Sequence, residues 1–370
     1  MSAAAAGSIA SGFQIGYAVS LVIFSTLADR ISAKLLYLWS MSTGVFFSLG
    51  FAFIARGYLS ALLLYTIVGI SLGGTYTTGL MILAHQYPVK RRGMAMGFFI
   101  ASTSLGYALS LFLSGIALPI GGYKLSFLLT CLGPLVGSIL AWITLFKTEV
   151  SPAKRQQEQK FIKDVLGNQH VRLLISGYTF HSWELLGMWS WTPAFLANCL
   201  VIGGTEGLLA AGLGAYITAS FHVTGLIASF SMGILSDHLG RARVIIMMSV
   251  ISMVCSFVFG WSIGWPFILV IGIGLIYAFS ALGDSPVLSA ALTEAVDVPY
   301  LGAAFGLRSL LGFGAGAISP LMFGALLDWT NPTALTHLHY TTWGWAYSIL
   351  GLGGLGAVWT AYRFRRISKL

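Results

Sequence analysis

The sequence predicts an all-α integral membrane protein of about eleven bilayer-spanning helices arranged as two related halves. Three observations predict it. Of the 370 residues, 57% are hydrophobic and only 8% are charged, against about 25% charged in an ordinary soluble domain. So little charge cannot cover a water-soluble fold of this length. The apolar residues fall into long runs of about 20, the length a helix needs to cross a bilayer, with none of the ten-residue alternation of a membrane strand. Two charged turns, STLADRISAK at 25–34 and GILSDHLGRAR at 233–243, interrupt the runs at equivalent places.

The first run covers 9–28. Its leader, MSAAAAGSIASGFQ, lacks the basic region that opens a signal peptide. The first charged turn leads into 35–55, a short connection with Arg56 into 58–84, and the basic turn YPVKRRGMAMG, 87–97, into 94–118. The run at 123–146 ends the first part. A long polar stretch, TEVSPAKRQQEQKFIKDVLGNQH at 148–170, follows. The second part holds 172–198, 207–235, the second charged turn, 243–263, 264–292, 300–327 and 341–363, and closes on the basic RFRRISKL. The expected units are a five-span bundle at 1–147, a linker at 148–171 and a six-span bundle at 172–370. The 45 glycines suit close helix packing in lipid. Cys131, Cys199 and Cys255 have no CxxC or Cys/His spacing and read as small buried apolar residues.

If the spans alternate, every Lys and Arg except Arg56, Lys124 and Arg308 falls on one side of the membrane. The positive-inside rule makes that side the cytoplasm, with the linker and the C-terminus in it and the N-terminus outside. The net charge of +9 is thus a topology signal and does not point to nucleic acid.

The charged turns are copies. Asp29 and Asp237 stand 208 residues apart, and GMAMG at 93–97 and GAAFG at 302–306 stand 209 apart. At that offset Gln14 pairs with His222. Parallel six-helix halves are a known transporter architecture. With these residues in view, the chain resembles the major facilitator superfamily, whose turn between the second and third helix of each half reads roughly G-x-L-a-D-R-x-G-R-R. Gly233, Leu235, Asp237, Gly240, Arg241 and Arg243 match it. In the first copy Leu27, Asp29, Arg30 and Lys34 match, whereas Ser25 and Ser32 replace the glycines and Ala33 a basic residue. The resemblance covers the whole chain and implies two six-helix bundles. The run at 172–198 has no partner in the first part, because its counterpart would precede residue 1. The family's first helix is therefore expected to be missing here.

The turns suit gating. An Asp at one helix end can accept hydrogen bonds from the positive N-terminus of a helix in the other half. The gating set is Asp29, Arg30, Lys34, Gly233, Asp237, Gly240, Arg241 and Arg243. The alternative reading is plain topology, with basic residues that hold a turn in the cytoplasm.

Ionisable groups inside spans cost roughly 2.5–3.5 kcal/mol on insertion scales and are functional candidates. His181 and Glu184, in HSWELLGMWSW, share a helical face, with Trp191 seven residues on. In the family the equivalent helix lines the central cavity. The pair reads as a proton or substrate site, or as a structural lock between helices. Asp284 and Arg308 lie at similar depth on successive spans, so an ion pair between them is expected. His222 joins the set as a polar residue at the place Gln14 holds in the other copy, which suggests a cavity face. Two departures from the family matter. Tyr65 stands where many proton-linked members carry Arg, and the Gly-Pro pair of drug exporters is absent from 97–115.

The expected function is secondary transport of a small polar or anionic solute by alternating access, coupled to protons. No GxxxxGK[ST] loop occurs, so ATP is not the drive. No cofactor, metal or catalytic constellation is expected, and the chain is expected to be no enzyme. The expected partners are the solute, protons and the lipid of a bacterial inner membrane, with the chain a monomer. A non-transporting scaffold or sensor derived from a truncated transporter is the alternative.

Overall fold

The computed structural model describes residues 1–28, 30–87, 89–148, 166–296, 300–332 and 340–367. Every regular element among them is helical: α1 (Ala3–Leu27), α2 (Ala33–Ile54), α3 (Tyr58–Gln86), α4 (Val89–Thr130), α5 (Leu132–Leu145), α6 (Gln169–Ile202), α7 (Gly207–Leu239), α8 (Arg241–Phe259), α9 (Phe267–Gly283), α10 (Ser285–Ala295), α11 (Leu301–Thr330) and α12 (Gly344–Ile367), with one 3-10 turn at Gly260–Ser262. Nine helices among the described residues are long and apolar enough to cross a bilayer.

Two breaks set the count of crossings. Within α4, Gly121 and Gly122 leave helical geometry, and Gly122 has φ 63°. That conformation is open to glycine. The chain reverses there, and the end of α4 runs on into α5. The second break is at Asp284, between α9 and α10, with Pro286 in the first turn of α10. The sequence reading ran one helix through 264–292. A proline N–H is missing inside a helix and tolerated at its start, so Pro286 marked the break.

α1 packs between α3 and α11, α2 against α3 and α5, and α6 against α7, α11 and α12. The helices up to α5 form one group and those from α6 another. Two seams join them, α1 with α11 and α4 with α7. The second group has the deeper core, an edge-to-face cluster of Phe195, Phe259, Phe323, Trp343 and Tyr347. Outward-facing side chains are apolar, as at Phe46, Ile143 and Ile268, each about 70% exposed. Such a surface suits lipid and no aqueous solvent.

The seams are built for close approach. Lipid gives helices no hydrophobic reason to associate, so small residues and polar contacts must hold them. A methyl group on Gly7 would overlap the Pro320 carbonyl, and one on Gly324 the Ala3 carbonyl. In the other seam a Cβ on Gly212 would lie 2.8 Å from the Gly115 carbonyl oxygen. At the end of the first seam, the Asp328 carboxylate of α11 accepts the N–H groups of Ala3 and Ala4 at 2.8 and 2.7 Å. An acid at a helix N-terminus meets unpaired donors and the positive end of the dipole. Tyr340 donates to the same carboxylate at 3.0 Å.

Gly324→Ala forces α1 and α11 apart and lowers the thermal midpoint in detergent, with an overpacking cost of about 1–3 kcal/mol. Gly314→Ala, on the same helix with open space around it, leaves the midpoint unchanged or raised. Equal midpoints for the two variants contradict the seam's tight packing.

Candidate functional site

α6 carries the first two candidates toward different neighbours. The Glu184 carboxylate is 4% exposed and points at α8, where its Oε1 accepts hydrogen bonds from Ser252 at 2.7 Å and Ser256 at 2.5 Å. The Ser256 hydroxyl also lies 2.6 Å from that of Tyr277 on α9. One carboxylate thus ties three helices. His181 turns instead to the break between α9 and α10, with Nδ1 2.8 Å from Asp284 Oδ1. Both side chains are buried, and that oxygen has no aligned hydrogen bond, so the contact is a close polar approach.

Asp284 and Arg308 do not form the expected ion pair. Asp284 faces α6, whereas Arg308 on α11 meets Ser289, five residues further along, with Nη1 donating to its hydroxyl at 2.7 Å. Five residues turn a side chain by roughly 140° around a helix, so equal depth did not mean a shared face. Arg308 is 2% exposed. Its guanidinium carbon sits 4.0 Å from the ring centroid of Tyr178 and 4.6 Å from that of Phe305. Its Nε is buried without a hydrogen-bond partner. Among the described residues no carboxylate comes within 4.0 Å of its nitrogens.

Arg308 lies beside the first seam. The Tyr76 hydroxyl of α3 faces its guanidinium. Tyr76 and Tyr17 of α1 both approach the Phe313 ring of α11, at centroid distances of 6.2 and 5.1 Å. These rings stand mid-helix yet keep part of their surface accessible, as does Tyr178. Sequence reasoning passed over them, because tyrosine and phenylalanine in an apolar run read as packing.

His222 marks the second seam. Its ring lies parallel to that of Tyr107 on α4, 5.1 Å between centroids, and 4.7 Å from Trp189 on α6. It is 2% exposed, with Nδ1 unpartnered, and borders a small cavity lined by Trp189, Thr192 and Thr218. Gln14, its counterpart, is also buried. Trp191 belongs elsewhere. It stacks on Phe323 at 5.2 Å in the aromatic core, and its indole donates to the Pro320 carbonyl at 3.0 Å. That is a packing role, on the same Pro320 carbonyl that Gly7 of α1 meets in the first seam.

Of the gating residues, Asp29 lies outside the described residues. Arg30 is exposed. Lys34 donates to the carbonyls of Phe146 and Thr148 at 3.0 Å each, closing the C-terminal end of α5, as a cation at the negative end of a helix should. In the second turn Gly240 has φ 89° and makes the corner between α7 and α8. Gly233 has open space around it, and Arg243 is exposed. Asp237 pairs with Arg241 at 2.6 Å, and Arg241 pairs with Glu294 of α10 at 2.9 Å. This network stays within the second group.

The sequence model of the Major Facilitator Superfamily matches residues 1–221. The chain belongs to that superfamily. A hexuronate transporter of Bacillus subtilis (strain 168) is 24% identical over 356 residues, 90% of this chain and 81% of that one. A gallate transporter of Pseudomonas putida is 26% identical over 273 residues, 66% of this chain and 60% of that one. Among solved structures, a bacterial homologue of the human lysosomal transporter Spinster superposes with a TM-score of 0.71 at 15% identity, covering 98% of this chain and 89% of that one. The nucleoside transporter NupG superposes with a TM-score of 0.67 at 14% identity, covering 100% and 91%. The fold is therefore the two-bundle transporter fold, and the chain is a multi-pass membrane protein, a secondary transporter of small solutes and no enzyme.

Trp191→Phe removes the indole donor and part of a core ring. It costs about 1–3 kcal/mol in a lost hydrogen bond and lost packing, which lowers the thermal midpoint, and leaves the KM of transport within twofold. A large KM change at unchanged stability contradicts the core assignment.

Proposed function

We propose that this chain moves a small anionic solute across the bilayer by alternating access, with protons as the coupling ion. The observation that carries the anion is Arg308: a buried cation beside a seam, with one nitrogen unpartnered and no carboxylate near among the described residues. Burying a charge costs several kcal/mol unless partners compensate. Ser289 and the Tyr178 and Phe305 ring faces offset part of this. A bound anion completes it. Because Tyr17 and Tyr76 approach the same place from the first group, such an anion touches both groups at once. The hexuronate and gallate named for two relatives support the same reading.

In this reading the groups α1–α5 and α6–α12 rock about the two seams. The Asp328 cap and the glycine contacts hold one face closed. The charged turns work on the opposite face, which the positive-inside rule makes cytoplasmic. Coupling resides in Glu184. Its Oε1 accepts from two serines while ionised. A proton taken up at Oε2 leaves both serine bonds in place and adds a donor that needs a new acceptor, so the packing around α6 changes. The neighbouring His181–Asp284 pair offers a second place for the proton.

Arg308→Gln lowers the initial uptake of labelled glucuronate and gallate into proteoliposomes at least tenfold, since hydrogen bonds to a charged group are worth about 1.5–3 kcal/mol. Arg308→Lys keeps an intermediate rate, having charge without the planar fork. Wild-type uptake by Arg308→Gln makes Arg308 structural and ends the anion reading.

Glu184→Gln copies the protonated acid. It abolishes uphill accumulation driven by a proton gradient and leaves downhill exchange within a few-fold of wild type. Accumulation at the wild-type level makes Glu184 a structural tie.

A further inference from the structure

We infer that the solute is an aromatic monocarboxylate, its carboxylate on the Nε edge of Arg308 and its ring between Tyr17 and Tyr76 of one helix group and Phe313 of the other. This rests on the anion reading above and names the anion's class. Charge sets the first limit. Arg308 is the one buried Lys or Arg among the described residues, and the nearby buried acids, Asp284 and Glu184, are engaged with His181 and with serines. A single cation balances a single negative charge. A dianion leaves one charge uncompensated in a low-dielectric interior.

Geometry sets the second. The rings of Tyr178 and Phe305 lie against the guanidinium, so the N–H edge is what it offers a ligand. Nη1 is taken by Ser289 and Nε is unpartnered. An in-plane edge matches a flat carboxylate. Ring character sets the third. Phe313 meets Tyr17 at an interplanar angle of 60° and Tyr76 at 80°. Such tilted and edge-on contacts are the ones an inserted aromatic ring can join. The polar groups around Arg308 are one serine and tyrosine hydroxyls. A sugar acid needs several donors and acceptors for its ring hydroxyls, and a buried hydroxyl left without a partner is penalised.

The test is isothermal titration calorimetry on the full chain in nanodiscs, with benzoate, cyclohexanecarboxylate, benzamide, phthalate and glucuronate as probes. Benzoate is expected to bind at least fivefold more tightly than cyclohexanecarboxylate, phthalate and glucuronate, and at least tenfold more tightly than neutral benzamide. Phe313→Leu is expected to bring benzoate and cyclohexanecarboxylate within twofold of each other. Arg308→Gln is expected to weaken both equally. If glucuronate or cyclohexanecarboxylate binds as tightly as benzoate, the aromatic class is wrong, and if phthalate does, the single-charge limit is wrong; in each case the proposal falls and the anion reading stands. If no carboxylate binds the wild-type protein, or benzamide matches benzoate, both fall. These comparisons use wild-type protein, so they decide even where a variant misfolds.

Discussion

A lipid solvent gives apolar helices nothing to gain by meeting, and everything particular about this molecule follows from that. A soluble bundle is squeezed together by water. Here the two helix groups meet where glycines admit a backbone, where a polar group finds a partner and where aromatic rings meet across the seams. The first seam has both. Gly7 and Gly324 bring α1 and α11 to backbone contact. That contact places the Asp328 carboxylate on the exposed N–H groups of α1. Without the small residues the acid could not reach, and without the acid the helix end would hold unpaired donors.

The same solvent explains the sharing of polar groups. Each deep ionisable side chain of the second group sits where two or three helices converge. Glu184 binds α6 to α8 and, through Ser256, to α9. His181 binds α6 to the break before α10. Arg308 differs, because its neighbours are hydroxyls and ring faces. Hydroxyls and rings soften a buried charge and leave it uncancelled, and that sets Arg308 apart from the ties at Glu184 and His181.

Much of the architecture was legible because composition constrains a membrane chain so strongly. Low charge and twenty-residue apolar runs led to the fold class, and the repeated Asp turn to the family. The deep charges stood out because the spans contain so few. Their partners did not. Spacing tells which side chains share a face, and depth tells which share a level, but neither gives the rotation of one helix against another. That is why Asp284 was matched with Arg308 when it meets His181, and why Trp191 was grouped with Glu184 when it lies in the aromatic core. The seam rings, Tyr17, Tyr76, Tyr107 and Phe313, carry no distinguishing mark in a chain with so many aromatics. Asp328 was invisible for another reason: its partners across the seam are the backbone of two alanines, and a backbone donor has no signature in the sequence.

The short helix α10 has a mechanical consequence. Asp284 at its hinge faces His181, Ser289 in its middle holds Arg308, and Glu294 at its far end holds Arg241 of the charged turn. The three contacts follow at five-residue intervals along one rod, about 7.5 Å apart in rise. A rod pivoting at 284 behaves as a crank. A sideways shift of about 1 Å at Ser289 becomes about 2 Å at Glu294, because the lever arm doubles. A displacement of the Ser289–Arg308 contact is thus geared to the Glu294–Arg241 contact by covalent geometry.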